Sequence, residues 1–260
     1  FNTLPIVTNT NNDGPGSLRA VASSTFDGET VIFDESLSGE TITLTSGQIF
    51  IDKSITIDAS NLPEGVTICG NNNSRIFEIE TGREVTIRSL SITDGSASSA
   101  GAIRNTGDLT LEHVTIYGNA ATSTFGSGGG ILNNGFSSKL TVRNSTISGN
   151  STASGDTYGG GIENNGGNTI LENSTLYNNS AAVSGGGVSI TGGTLTVRNS
   201  VIAGSEGGDC NASSGVTIEN SLIEDGSCSA TLSGDPMLKS LSDNGGQTLT
   251  HLPQSGSSLL

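Results

Sequence analysis

Carboxylates are the first residues here that suggest chemistry. The chain carries 25 Asp and Glu against 10 Lys and Arg. Hydrolysis of a glycan needs at least two carboxyl groups converging on one groove, one of them kept protonated. The regularly spaced candidates are Glu112, Glu172 and Glu219. They alternate with arginines in a column that reads Arg88, Glu112, Arg143, Glu172, Arg198, Glu219. Cationic neighbours favour the ionised carboxylate, which makes a poor general acid. A lyase needs a basic side chain beside a cation that neutralises a uronate. The only lysines are Lys53, Lys139 and Lys239, far apart in the chain. His113 and His251 read as structural. No catalytic residue is assigned. A pectate-lyase-like lyase or a glycoside hydrolase is the alternative reading, best placed on the face bearing Tyr117 and Tyr177.

Binding chemistry has its own candidates. Sugar-binding grooves present aromatic platforms, and the chain has 7 Phe, 3 Tyr and no Trp. Phe125, Phe136 and Tyr158 fall in or beside the variable segments, and Tyr117 and Tyr177 take equivalent outward positions. These five are the candidate binding residues. The glycine- and aspartate-rich nonapeptide of calcium-binding β-helices is absent. Asp94, Asp108, Asp156, Asp209 and Asp225 are scattered, so no metal or cofactor is expected; calcium is the one ion the acidity leaves open. Cys210 and Cys228 flank one repeated strand, and a disulfide closing so short a loop would contribute roughly 2–4 kcal/mol. Such a bridge implies an oxidising compartment. Cys69, in VTICG, is expected to be a buried free thiol.

The element that must position all of these residues recurs. LTVRNSTISGN starts at Leu140; related text starts at Val85, Leu109, Thr169, Leu195 and Val216, a return every 21 to 31 residues. That period marks a solenoid, in which each unit buries its apolar face against its neighbours. Apolar and polar residues alternate within each copy, as in a strand with one buried face. Leu109 and Leu111, Leu140 and Val142, and Leu195 and Val197 point inward. Thr86, Thr110, Thr141, Thr196 and Thr217 point outward, with Ile170 interrupting that column. If the copies stack as parallel strands ~4.8 Å apart, each Arg and Glu lies between opposite charges, worth roughly 0.2–1 kcal/mol per pair. Asn144, Asn173, Asn199 and Asn220 follow, as turn residues that can also bond one another up the axis. Glycine-rich AGAIRN, GGGILNN, GGGIENN and GGGVSIT each open a further short strand. Three strands per turn, wound in parallel, make a right-handed β-helix.

These patterns organise the chain as one all-β domain over residues 1–260. Residues 1–40 form an N-terminal cap and first strand, with Ser17 as the N-cap of a short helix. Residues 41–225 form the coils. Residues 226–260 lose the pattern and read as a C-terminal strap over the last coil. The longest variable loops are expected in 96–130 and 151–160. A net charge of −15 disfavours nucleic acid and anionic membranes as partners. No run of about 18 apolar residues exists to span a bilayer. With Phe1 in first place, the expectation is a mature or trimmed chain.

The opening VTNTNNDGPGSLRAV, the NSTISGN and GGGI repeats, and the ending GDPMLKSLSDNGGQTLTHLPQSGS together resemble bacterial surface β-helix proteins with a choice-of-anchor Q domain, often with a CSLREA-type N-terminus. The repeats also resemble those of polymorphic outer-membrane proteins. The resemblance implies a secreted protein attached to the cell surface by an anchor beyond residue 260. It also implies a recurring Cys pair at Cys210 and Cys228. No activity follows from it. The expected function is a monomeric, non-catalytic extracellular scaffold or adhesin module, binding a glycan or a partner protein through its loops.

Overall fold

The alternating text forms strands, and the strands stack coil upon coil. The computed structural model describes residues 4–259. They form a parallel β-solenoid of about 8 turns with one short helix. Each coil contributes one strand to each of three faces. The first face holds Thr30–Phe33, Thr56–Asp58, Glu84–Arg88, Asp108–Glu112, Lys139–Arg143, the ends of Ile162–Glu172 and Val188–Arg198, and Val216–Glu219. The second runs from Thr41–Thr43 through Val66–Cys69, Leu90–Thr93, Thr115–Tyr117, Thr146–Ser148 and Thr175–Tyr177 to Val201–Ala203 and Leu222–Ile223. The third starts at Ile49–Ile51 and ends at Cys210–Ala212.

The register is the one that the repeats demand. Leu109 lies opposite Val85 and Leu140, and Leu111 opposite Ile87 and Val142. These side chains are fully buried, as are Ile92, Ile147, Leu176 and Ile202 on the second face. The threonine column extends further than the repeat text suggests, because Thr30 and Thr56 join it below Thr86. The glycine segments are explained by proximity. A Cβ on Gly129 would lie 2.4 Å from the carbonyl oxygens of Gly160 and Ser151, so the coil corner closes only without a side chain.

At the N-terminal end the helix Leu18–Ser24 buries Leu18, Val21 and Ala22, and the Ser17 hydroxyl accepts from Ala20 N. It covers an end that would otherwise expose core and strand edge. At the other end Cys210 and Cys228 are joined by a disulfide.

Four expectations change. Residues 96–121 are not a loop but five short strands joined by tight turns; the long irregular loops fall at 122–130 and 153–161. Cys69 is half-buried and faces outward, because Ile68 takes the inward position of Val66–Cys69. The strap does more than cover the last coil. Its antiparallel hairpin, with Leu238 opposite Pro253 and Ser242 opposite Thr250, runs back along the second face. Gln247 at its tip donates to the carbonyls of Ser60 and Leu62. Finally, the turn asparagines form no continuous ladder. Asn144, Asn173, Asn199 and Asn220 do adopt left-handed φ values of 46–50°. Among the described residues, the one side-chain bond between these stacked asparagines is Asn173 Nδ2 to Asn144 Oδ1 at 3.3 Å.

The hydrogen-bonded asparagine ladders lie inside the coil. Asn105 Nδ2 donates to Asn133 Oδ1 at 2.8 Å and Asn133 Nδ2 to Asn164 Oδ1 at 2.7 Å. A second set, Asn119, Asn150 and Asn179, is likewise linked by Nδ2 to Oδ1 bonds of 2.9 and 3.0 Å. All six are buried. Their remaining amide hydrogens cap carbonyls at the coil corners, such as Gly107 O and Ile116 O, where the backbone turns and has no ladder partner.

Candidate ligand-contacting surfaces

The first face is closed by its own charges. Arg88 pairs with Glu112 at 2.9 Å, Arg143 with Glu172 at 2.7 Å, and Arg198 with Glu219 at 3.0 Å. Arg198 also reaches Glu172 at 3.6 Å, and Arg88 reaches Asp58 at 3.6 Å. Asp58 is a ladder member that the repeat text alone does not reveal. Among the described residues Glu112 and Arg143, although adjacent in register, make no ion pair. The ladder therefore falls into two chains.

The third face carries a second polar column, which the sequence reading missed. Glu78 accepts from Arg104 at 2.6 Å and pairs with Arg75 at 3.2 Å. Burial would raise its carboxyl, but hydrogen bonds from Gln48 and Arg104 and the charges of Arg75 and Arg104 hold it below the usual range. Three coils on from Glu78, Glu163 is 2% exposed. Thr191 donates to its Oε1 at 2.6 Å, and Oε2 has no partner among the described residues. Burial pushes this carboxyl up, against bonds from Thr191 and Ser189 that lower it. Its sequence signal was weak: one Glu at the position where the neighbouring coils carry Leu132 and Ser189.

The five aromatic candidates separate into three places. Phe125 and Tyr158 share one edge of the solenoid, on loops stacked between the second and third faces. Gly128 N donates to Tyr158 O at 3.1 Å, and Val183 N to Thr157 O at 3.2 Å. Thr157 is fully buried, its hydroxyl bonded to Ala153 O and Thr152 Oγ1. These loops are thus zipped to one another, yet Phe125 is 78% exposed and Val183 is 44% exposed. Phe136 is 96% exposed but lies at a different corner, beside Gly166. Tyr117 and Tyr177 are not loop residues. They stand on the second face, under the strap. His251 packs edge-on against Tyr177 with centroids 4.8 Å apart, bonds Ser148 Oγ at 2.9 Å and donates from Nδ1 to Lys239 O at 2.7 Å. Burial lowers the basicity of this imidazole. Thr115 Oγ1 donates to Leu249 O at 2.6 Å, which fixes the strap beside Tyr117.

One further feature lay outside the sequence reading, and one corrects it, since Asp209 and Asp225, expected to be scattered, lie together. Leu4 and Phe26 are exposed around a groove of about 460 Å³ between the helix and the first strand. Asp209 and Asp225 each accept the other's backbone N–H, at 3.1 and 3.0 Å. Burial raises the Asp209 carboxyl, while hydrogen bonds from Ser227 and the backbone outweigh burial at Asp225 and lower it. Among the described residues, no three His, Cys, Asp or Glu side chains group as metal ligands. Among the described residues, no helix is long and apolar enough to cross a membrane. No protein-family model and no curated protein matches the chain.

Proposed function

We propose that this chain is a non-catalytic, extracellular module of a cell-surface protein, which binds a glycan or a partner protein through the loops stacked along one edge. The observation that carries the reading is Phe125: a large apolar ring, 78% exposed, held on loops that are otherwise hydrogen-bonded into place. Ordered loops that display an aromatic cost little entropy to bind with, and solenoid edges are where variable loops carry recognition. Tyr158 and Val183 extend the same surface. The disulfide fits an oxidising compartment, and the resemblance to choice-of-anchor Q surface proteins supports secretion and surface attachment.

The regular faces favour binding over catalysis. The arginines beside Glu112, Glu172 and Glu219 favour ionised carboxylates, and Glu163, the carboxyl raised by burial, lies out of reach of a polymer. The test is a glycan and protein array read with wild type, Phe125→Ala and Tyr158→Ala. A signal lost in the variants, with melting temperature unchanged, supports the reading. Release of new reducing ends or unsaturated products from a polysaccharide panel would overturn it.

A further inference from the structure

The two ends of the solenoid are closed differently. At the N-terminal end the helix Leu18–Ser24 caps the core. At the other end the first face finishes on the strand Val216–Glu219. It pairs with Val188–Arg198 on one side and, among the described residues, with no strand on the other. The direction of its backbone groups follows from two bonds. Leu195 N donates to Gly215 O at 2.9 Å, and Asn199 N donates to Glu219 O at 3.1 Å. Gly215 and Glu219 therefore point back into the sheet, as does Thr217 between them. The alternate residues of a parallel ladder point the other way. The N–H and C=O groups of Val216 and Ile218 thus face the open edge, which is a template for a further strand.

Three side-chain columns end at the same edge. Val216 and Ile218 continue the inward columns of Leu195 and Val197. Leu195 and Val197 are fully buried, whereas Val216 and Ile218 are only partly buried against the core. The charge column ends on Glu219. Inside the ladder, Glu172 has Arg143 on one side and Arg198 on the other. Among the described residues Glu219 pairs with Arg198 alone, and its side chain is 51% exposed. Past the end of the strand, Asn220 borders a groove of about 330 Å³ lined by Val201, Leu222, Leu232 and Leu259.

We propose that this edge is a docking site for a strand of another protein, added in the parallel sense of the rest of the face and carrying an arginine or lysine in register with Glu219. The partner's pattern follows position by position. Apolar residues lie opposite Val216 and Ile218, a small polar residue opposite Thr217, and a cation opposite Glu219. The main-chain groups of Val216 and Ile218 supply the hydrogen bonds, and the cation fixes the register. Residues 195–198, Leu-Thr-Val-Arg, have this pattern and already pair with Val216–Glu219 from the inner side. A second copy of this chain does not fit. Its first strand on this face is Ile6–Val7, and by register Ile6 stands in the charge column, opposite Ile32 and then Asp58. That end brings no cation to Glu219, and a net charge of −15 sets copies of the chain against one another.

The site lies at the end of the solenoid, apart from Phe125 and Tyr158, so it and the loop edge stand or fall separately. The test is fluorescence anisotropy of the whole chain with a labelled peptide that copies residues 194–203, TLTVRNSVIA, and with the same peptide carrying Glu in place of its arginine. The arginine peptide should bind, and the glutamate peptide should bind at least about tenfold more weakly. Glu219→Lys should reverse that order. Ile218→Pro removes an N–H that points away from the sheet and so leaves the pairing with Val188–Arg198 in place; at unchanged melting temperature it should weaken the arginine peptide about tenfold or more. Phe125→Ala should leave the affinity unchanged. Should Ile218→Pro disturb the fold, the charge reversal still decides. Failure of the arginine peptide to bind, equal binding of the two peptides, or an order that Glu219→Lys does not reverse would overturn the proposal. Self-association of the wild-type chain in sedimentation, lost in Glu219→Lys, would also overturn it by assigning the edge to a second copy.

Discussion

Asn150 and Asn173 look alike in the sequence: each closes a turn of the repeat, and each has counterparts in neighbouring coils. In the structure they do different work. Asn150 is fully buried; its Nδ2 donates to Ile116 O and to Asn179 Oδ1, its backbone N donates to Asn179 Oδ1, and its own Oδ1 accepts from both nitrogens of Asn119. Asn173 is exposed, has φ of 50° and makes one long side-chain bond. The buried column substitutes for missing backbone partners where three coils turn together. The exposed column supplies a backbone conformation. Recurrence therefore shows that a residue is needed once per coil, and burial shows what for.

The largest expected effect follows from that difference. Asn150→Ala strips partners from a carbonyl and from two other buried asparagines, at 1–3 kcal/mol for each group left unsatisfied. We expect a loss of about 4 kcal/mol in chemical denaturation. An effect below about 1 kcal/mol would show that water replaces the amide at the corner.

The same contrast marks how far the sequence could be read. Strand alternation, the glycine corners and most of the charge ladder follow from a pattern repeated over many coils with a fixed register, and the capping helix follows from Ser17 as its N-cap. Alternation from Ile103, Ile131 and Ile162 also places Asn105, Asn133 and Asn164 inward, so the true ladder was visible, masked by the expectation that asparagine faces water. Asp58 was hidden because its coil matches the motif poorly. The strap lies beyond reading by periodicity, since no repeat connects Gln247 to Ser60 or His251 to Ser148. For the same reason Tyr117 and Tyr177 were placed on an open face.

Glu163 tests the rule that a buried polar group needs a full set of partners. It is as buried as the asparagines, but one oxygen has no bond. Its folded-state pKa is raised by burial. A raised carboxyl favours folding while protonated, below the unfolded value of about 4.3, and that contribution is lost as pH rises through the folded value. Glu163→Gln keeps the shape and removes the charge. The variant should gain about 1–2 kcal/mol at neutral pH and nothing near pH 4. Equal melting shifts at both pH values would show that the carboxylate does not ionise against burial.

Exposed charge should matter less. Glu172→Arg places like charges beside Arg143 and Arg198, both of which now pair with Glu172. We expect a loss of about 1 kcal/mol at low ionic strength, shrinking as salt is added. A salt-independent loss would mean that the substitution disturbs packing rather than the ladder.

The smallest effect sharpens the comparison most. If the exposed asparagines serve only to hold a left-handed turn, a residue with no side chain should replace them. Glycine adopts positive φ without steric cost, whereas alanine there brings its Cβ against the following carbonyl, at roughly 1–2 kcal/mol. Asn173→Gly should therefore stay within about 0.5 kcal/mol of wild type, and Asn173→Ala should cost about 1 kcal/mol. At Asn150 the order changes: Asn150→Gly and Asn150→Ala should both be severe, because what is lost there is the amide. Those four variants separate the two roles by pattern, not only by size. If Asn173→Gly proved as damaging as Asn173→Ala, the bond from Asn173 to Asn144 would be holding the turn, and the exposed column would be a working ladder after all.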